Sequence, residues 1–292
     1  MADPISYGQA VVLGLLQGAS ELFPVSSLGH SVILPQLLGW DIKQNDDFFI
    51  VFLVATHLAT AIVLFCFFLS DWMKILRGLG RSLRDRDLGD DPYARLGWLL
   101  VVGTIPAGLL GLLLEHALRD LFASAQSAAF FLMLNGVMLY GAERLRRRAP
   151  VVDSSEDAVA SDVRIGETVT WRNACAIGAA QALALIPGFS RSGATMGGGL
   201  LVGLSNEDAA RFAFLLATPI IGAAAILKLP DLLGSAGNGV RGPALVGALC
   251  SAFTAYLSVR FLMRFFETNR LTPFAIYCVL AGAVASVWLA AT

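Results

Sequence analysis

Residues Gly14–Ile33 read GLLQGASELFPVSSLGHSVI, and residues Gly178–Gly197 read GAAQALALIPGFSRSGATMG. A shift of 164 positions lays Gln17 on Gln181, Ser26 on Ser190 and Gly29 on Gly193. Each stretch is an apolar run, a proline break, a pair of serines and a second apolar run. The first carries Glu21 and His30, the second Arg191. One polar, proline-broken element used twice, with complementary charged groups in the two copies, predicts a composite site built inside a bilayer.

The rest of the chain supports a bilayer. Of its 292 residues 56% are hydrophobic and only 15% charged, against roughly 25% charged in soluble domains, so it reads as a polytopic membrane protein. A net charge of −1 gives no basic surface for nucleic acid. Cys66, Cys175, Cys250 and Cys278 lie singly in or beside apolar runs, as small buried hydrophobes do, rather than as metal or disulfide sets. The stretch MADPISYGQ has no basic region and the first apolar run contains Glu21, which argues against a cleaved signal.

Six runs are apolar for about 18 residues or more, enough for a hydrocarbon core of about 30 Å. They are Phe48–Leu69, Leu96–Glu115, Ala125–Gly141, Ala209–Leu227, Ala244–Leu262 and Pro273–Ala290. The repeated elements differ from these. Leu13–Phe23, Leu28–Leu38, Ala174–Leu185 and Ser192–Leu204 are each about 11 residues long, which at about 1.5 Å per residue crosses half a membrane. Interrupted at Pro24 and Pro187, they are expected to form re-entrant hairpins, buried in protein or lining an aqueous cavity. The expected fold is all-α: six spans and two hairpins. A first repeat (1–150) and a second (168–292) each hold one hairpin and three spans, so they run in opposite directions. LVATHLATAI from Leu53 and LLATPIIGAA from Leu215 echo one another in the same order. The acidic, serine-rich segment Val151–Glu167 is expected to be a flexible linker.

Basic residues fix the orientation. Asp71–Arg95 carries Lys74, Arg77, Arg81, Arg84, Arg86 and Arg95; Arg144–Arg148 has four arginines in five positions; Arg260, Arg264 and Arg270 precede the last span. These loops share one face, expected to be cytoplasmic. The first hairpin then opens outward and the second inward.

In PVSSLGH the proline stops one half-helix, and Ser26 or Ser27 can cap the next. The new N-terminus offers free N–H groups and a positive dipole end, an anion site. PGFSRSGAT repeats the device with Ser190, Ser192 and Thr195 and adds the Arg191 guanidinium, which matches phosphate oxygens in bidentate fashion. A phosphate or diphosphate suits the pair; the plainer alternative is that these serines and Thr195 only cap broken helices. Glu21 at membrane depth costs at least about 2.5 kcal/mol unless partnered. It is read as a cation ligand or proton relay, with an ion pair to Arg191 as the structural alternative. Gln17, one turn earlier, can coordinate through its amide oxygen but cannot act as a base. His30 lies three residues beyond Ser27, so Ser27 activated by that imidazole is expected as the nucleophile, with attack by Ser26, by His30 itself or by water left open. His57 reads equally as site lining or as a helix-packing hydrogen bond.

Together, QGASELFPVSSLGH, PGFSRSGAT and PFAIY at Pro273–Tyr277 resemble the undecaprenyl-diphosphate phosphatase family, the bacitracin-resistance proteins, along nearly the whole chain. The resemblance implies an integral phosphatase of the bacterial inner membrane that removes the terminal phosphate of a C55 isoprenyl diphosphate and recycles the cell-wall lipid carrier. It implies a divalent cation, Mg²⁺ or Ca²⁺, a polyprenyl diphosphate substrate and a homodimer. The family's (Glu/Gln)-xxx-Glu motif falls on Gln17 and Glu21, its serine–histidine stretch on Ser26, Ser27 and His30, and its essential arginine on Arg191. Expected catalytic residues are Ser27, His30, Glu21 and Arg191, with Ser26, Ser190, Ser192 and Thr195 on the phosphates, and Glu21 with Gln17 on the metal. Gln17 stands where many members carry Glu, which leaves one carboxylate for the cation. The rival reading is an inverted-repeat lipid transporter or flippase without chemistry.

Overall fold

A proline disfavours the helical conformation in the residue before it, and both repeated elements break for that reason. The computed structural model describes residues 5–42, 47–121, 124–146, 161–234 and 239–291, with the side chains of all but 47, 115–121 and 231. Among them the chain forms α1 (Tyr7–Leu22), α2 (Ser27–Leu37), α3 (Asp47–Phe67), α4 (Leu69–Asp85), α5 (Pro92–Leu121), α6 (Ala125–Arg146), α7 (Ser161–Thr168), α8 (Trp171–Ala180), α9 (Arg191–Leu201), α10 (Asn206–Leu233), α11 (Arg241–Phe266) and α12 (Thr272–Ala291), and no strand. A capping box of Ser6 and Gln9 opens α1, which stops at Phe23 in an extended conformation (φ −64°, ψ 142°). At the second break α8 tightens into a 3₁₀ turn over Gln181–Leu185 and stops at extended Ile186. Helix α1 has 16 residues, longer than expected, whereas α2 and α9 have 11 each.

Among the described residues six helices are long and apolar enough to cross a membrane: Phe48–Phe67, Pro92–Leu114, Ala125–Arg146, Asn206–Pro230, Arg241–Phe266 and Thr272–Ala291. They match the six expected runs, extended by a turn or less at most ends. Many of their large apolar side chains face outward, among them Leu113, Leu249, Val284 and Val287, as lipid contact requires. The interior holds a large apolar cluster running from Leu22 and Leu132 through Phe212–Ala217 to Ala285, and a smaller one that includes Leu13, Phe49, Phe52 and Ala244.

The helices before the two breaks pack across the molecule. Helix α1 lies on α11 so closely that a Cβ at Gly14 would collide with the Gly247 carbonyl, and α8 lies on α5 with Gly178 against the Gly103 carbonyl. Each broken element is thus braced by a helix from the other half of the chain.

Two helices were not legible as such. The basic stretch after α3 is the amphipathic α4, with Trp72 and Ile75 buried and Leu69, Met73, Leu76 and Leu83 exposed. Residues 161–167 of the expected flexible linker belong to α7, with Asp162, Ile165 and Gly166 buried; residues 151–160 lie outside the described ones. Ion pairs hold α7. Arg211 of α10 binds Asp162 (2.6 Å) and Asp71 of α4 (2.8 Å), and Arg164 binds Asp208 (2.8 Å). Burial pushes the Asp71 carboxyl above its ordinary value, against the opposing pull of Arg211. All four cysteines are free, but only Cys278 is buried; Cys66 and Cys175 lie on the exposed surface.

Candidate active site

Four hydrogen bonds tie the two breaks together. The Gly188 N–H donates to Ser26 Oγ (3.2 Å) and Ser192 Oγ donates to the Phe23 carbonyl (3.1 Å). Asn135 of α6 supplies the other two: its Nδ2 donates to the Pro24 carbonyl (2.9 Å), and its Oδ1 accepts from the Ser190 N–H (3.1 Å). Ser26 also accepts from the Gly29 N–H (3.1 Å), capping α2, and Ser190 caps α9 through the Gly193 N–H (3.1 Å). Ser26 has φ +68°, a region that strains any residue but glycine by about 1–2 kcal/mol, so these bonds hold it there. The N-termini of α2 and α9 meet here with their positive ends.

A polar cluster centred on Glu21 sits at that junction. Ser27 Oγ donates to Glu21 Oε2 (2.5 Å), as does Gln17 Nε2 (3.0 Å). His57 Nε2 lies 3.4 Å from the same oxygen and 3.2 Å from Gln17 Nε2. Arg191 Nη2 donates to Glu21 Oε1 (3.2 Å), while its Nε and Nη1 are buried with no acceptor. Glu21 is only 7% exposed and the Arg191 side chain 12%, so this charge pair is shielded from solvent, and two buried guanidinium nitrogens are left with hydrogen-bonding capacity that an anion could use.

Of the expected residues, Gln17, Glu21, Ser27 and Arg191 come together. The expected Ser27–His30 pair does not form. His30 turns back, its Nδ1 at the Ser26 carbonyl (2.7 Å) and its Nε2 at the Tyr277 hydroxyl (2.8 Å), with the two rings stacked at 5.8 Å. Ser27 opens α2, and side chains there lean toward the helix N-terminus, so its hydroxyl reaches Glu21 across the break instead. Ser26, Ser190, Ser192 and Thr195 are all buried and engaged; Thr195 Oγ1 donates to the Arg191 carbonyl (3.0 Å). Glu21 makes the ion pair foreseen as its structural alternative and contacts Ser27 as well. Three residues join the site that were given no role in advance: His57, held open as a lining residue, Tyr277, which closes the PFAIY stretch, and Asn135. The only signal for Asn135 was a lone polar side chain in an apolar span, where an unsatisfied amide is costly.

No three His, Cys, Asp or Glu side chains among the described residues gather to hold a metal alone. Hard divalent ions of the Mg²⁺ type use one or two carboxylates and complete their shell with phosphate oxygens and water. Glu21 offers the carboxylate, and Gln17 Oε1 is buried without a partner. These residues fit a cation of that class.

A family model described as bacitracin resistance protein BacA matches residues 10–284. An undecaprenyl-diphosphatase of Mycolicibacterium paratuberculosis is 51% identical, over 99% of this chain and 99% of that protein. Undecaprenyl-diphosphatase 2 of Frankia alni is 45% identical over 97% and 98%, and an undecaprenyl-diphosphatase of Granulibacter bethesdensis 46% over 96% of each.

Proposed function

The chain belongs to the bacitracin resistance protein BacA family, and from that premise we propose that it is a membrane phosphatase hydrolysing undecaprenyl diphosphate to the monophosphate and orthophosphate, which recycles the cell-wall lipid carrier. The observation that carries this reading is Arg191: a guanidinium buried beside two helix N-termini with Nε and Nη1 lacking any acceptor. The diphosphate supplies those acceptors, and the fork of Arg191 grips them where a lysine would offer a point charge.

Ser27 is the nucleophile. Its Oγ attacks the terminal phosphorus, the bond from that phosphorus to the bridging oxygen breaks, and polyprenyl monophosphate leaves; the hydroxyl proton passes to Glu21 Oε2, 2.5 Å away. Water then attacks the phosphoserine, and its protons leave with the orthophosphate. The serine–phosphorus bond breaks, Glu21 returns its proton to Ser27, and orthophosphate departs. Glu21 and Gln17 would hold a divalent cation, Mg²⁺ or Ca²⁺, which neutralises charge on the diphosphate when bound. Tyr277, 46% exposed and bonded to His30, marks the edge of the site nearest the lipid tail.

The two broken elements are re-entrant hairpins in inverted repeats. The reciprocal packing of α1 on α11 and α8 on α5 supports this, as does the matching order of spans. In the inner membrane the arginine-rich helix ends face the cytoplasm and the serine site faces the periplasm. Orthophosphate release from undecaprenyl diphosphate by the purified protein tests the activity. Release by wild type and its loss in Ser27→Ala are expected. Lipid crossing a proteoliposome membrane with no orthophosphate freed would replace the hydrolase with a transporter.

A further inference from the structure

We infer that His57 is a third protein ligand of the divalent cation, completing with Gln17 and Glu21 a face of one nitrogen and two oxygens. The inference rests on the proposal above that Glu21 and Gln17 hold a cation, and it assigns the cluster a donor that sequence motifs did not assign.

Three atoms from two helices meet in a triangle. Glu21 Oε2 and the terminal amide atom of Gln17 are 3.0 Å apart, that amide atom and His57 Nε2 3.2 Å, and His57 Nε2 and Glu21 Oε2 3.4 Å. Neighbouring ligands around an octahedral ion with bonds of about 2.1 Å lie about 3.0 Å apart, and slightly longer bonds open that spacing. The triangle therefore has the dimensions of one face of a coordination shell. The Gln17 amide presents Nε2 to it, and a half-turn that leaves the shape of the side chain unchanged presents Oε1 instead.

The imidazole is oriented for this task. His57 Nδ1 lies 2.7 Å from the Leu53 carbonyl one turn earlier on α3, so Nδ1 carries the proton and the Nε2 lone pair points into the cluster. Metal-bound histidines are fixed in this way by a carbonyl on the far ring nitrogen. In the neutral ring the Nε2 lone pair is turned toward the carboxylate oxygen 3.4 Å away, and a cation between the two would be shared by both atoms. Glu21 Oε2 has lone pairs for both Ser27 and the ion. One carboxylate, one amide and one imidazole carry a single negative charge, so a bound divalent ion leaves the face positive toward a diphosphate, on the same side as Arg191. An imidazole ligand also biases the set away from Ca²⁺, which takes oxygen donors.

Binding of Mn²⁺ alone to the metal-stripped, detergent-purified chain tests this, read by electron paramagnetic resonance with pulsed detection of nitrogen-14 coupling. Wild type is expected to take up one Mn²⁺ with an imidazole nitrogen signal. His57→Gln should lose the signal and weaken Mn²⁺ binding by about tenfold or more; His57→Leu, checked for an unchanged elution profile, should do the same. Mn²⁺ bound without nitrogen coupling in wild type, and released by Glu21→Gln, would remove His57 and leave the cation reading standing. Nitrogen coupling that persists in His57→Gln would also overturn the assignment, since another ring supplies it. No Mn²⁺ uptake by wild type, even with undecaprenyl diphosphate added, would overturn the cation reading and His57 with it.

Discussion

The two breaks use one backbone device and opposite chemistry. In each, a proline ends a helix, a serine caps the next, and the following residue opens it; that residue is Ser27 in the first break and Arg191 in the second, 164 positions apart. The same helical position thus holds a hydroxyl on one side and a guanidinium on the other, and both reach Glu21. The helices before the breaks diverge too. Gln17 bonds Glu21 across one turn of α1, whereas Gln181 stands in the 3₁₀ turn, at the limit of a bond to the Gly103 carbonyl (3.5 Å), with Oε1 unpartnered. The position matching Glu21 is Leu185. Backbone geometry is shared, and function is divided by single side chains.

Five substitutions sharpen or break that comparison. The largest effect is expected at the first break: Ser27→Ala should lower orthophosphate release at least about 10³-fold, since the residues of a nucleophilic unit act together. Retention of a tenth of the activity would shift attack to His30 or water. At the matching position, Arg191→Lys should lose about 10²-fold, because the charge stays but the fork is gone; near-normal turnover would reduce Arg191 to a structural partner of Glu21. Asn135→Leu severs both breaks from α6 at once and strands the Ser190 N–H and the Pro24 carbonyl. It should lower turnover about tenfold and thermal stability by about 1–3 kcal/mol. A drop in stability with kcat unchanged would confine Asn135 to folding. The smallest contrast is between the two glutamines: Gln17→Leu should weaken cation-dependent turnover about tenfold by removing a ligand. Gln181→Leu should stay within about twofold, because it removes a buried amide that is barely bonded. Equal losses would mean that both halves bind the substrate in the same way.

The spans were legible because a hydrocarbon core dictates both length and apolarity, and the breaks because Pro24 and Pro187 announce them. Helices α4 and α7 were not. Both are charged; α4 buries Trp72 and Ile75 on the apolar face of a basic stretch that reads first as a loop, and α7, only 8 residues long, is held through Asp162 by Arg211, a contact that no local pattern reveals. At the site, Gln17 beside Glu21 followed from helical spacing within one element. The Ser27–Glu21 bond spans a break, where no spacing rule applies, and the same spacing rule misled at His30, whose ring found Tyr277, 247 positions away in sequence. A lone histidine in a span reads equally as packing or as site, so His57 could be decided only by distance.

The crossed bracing of the breaks makes each half of the chain depend on the other. Because α1 leans on α11 and α8 on α5, neither half contains the helix that its own break rests against. A gene encoding one half would yield a chain with an unsupported broken helix, half of a phosphate grip, and a Gly face with nothing against it. Co-expression of two severed halves should accordingly restore hydrolysis that neither half shows by itself.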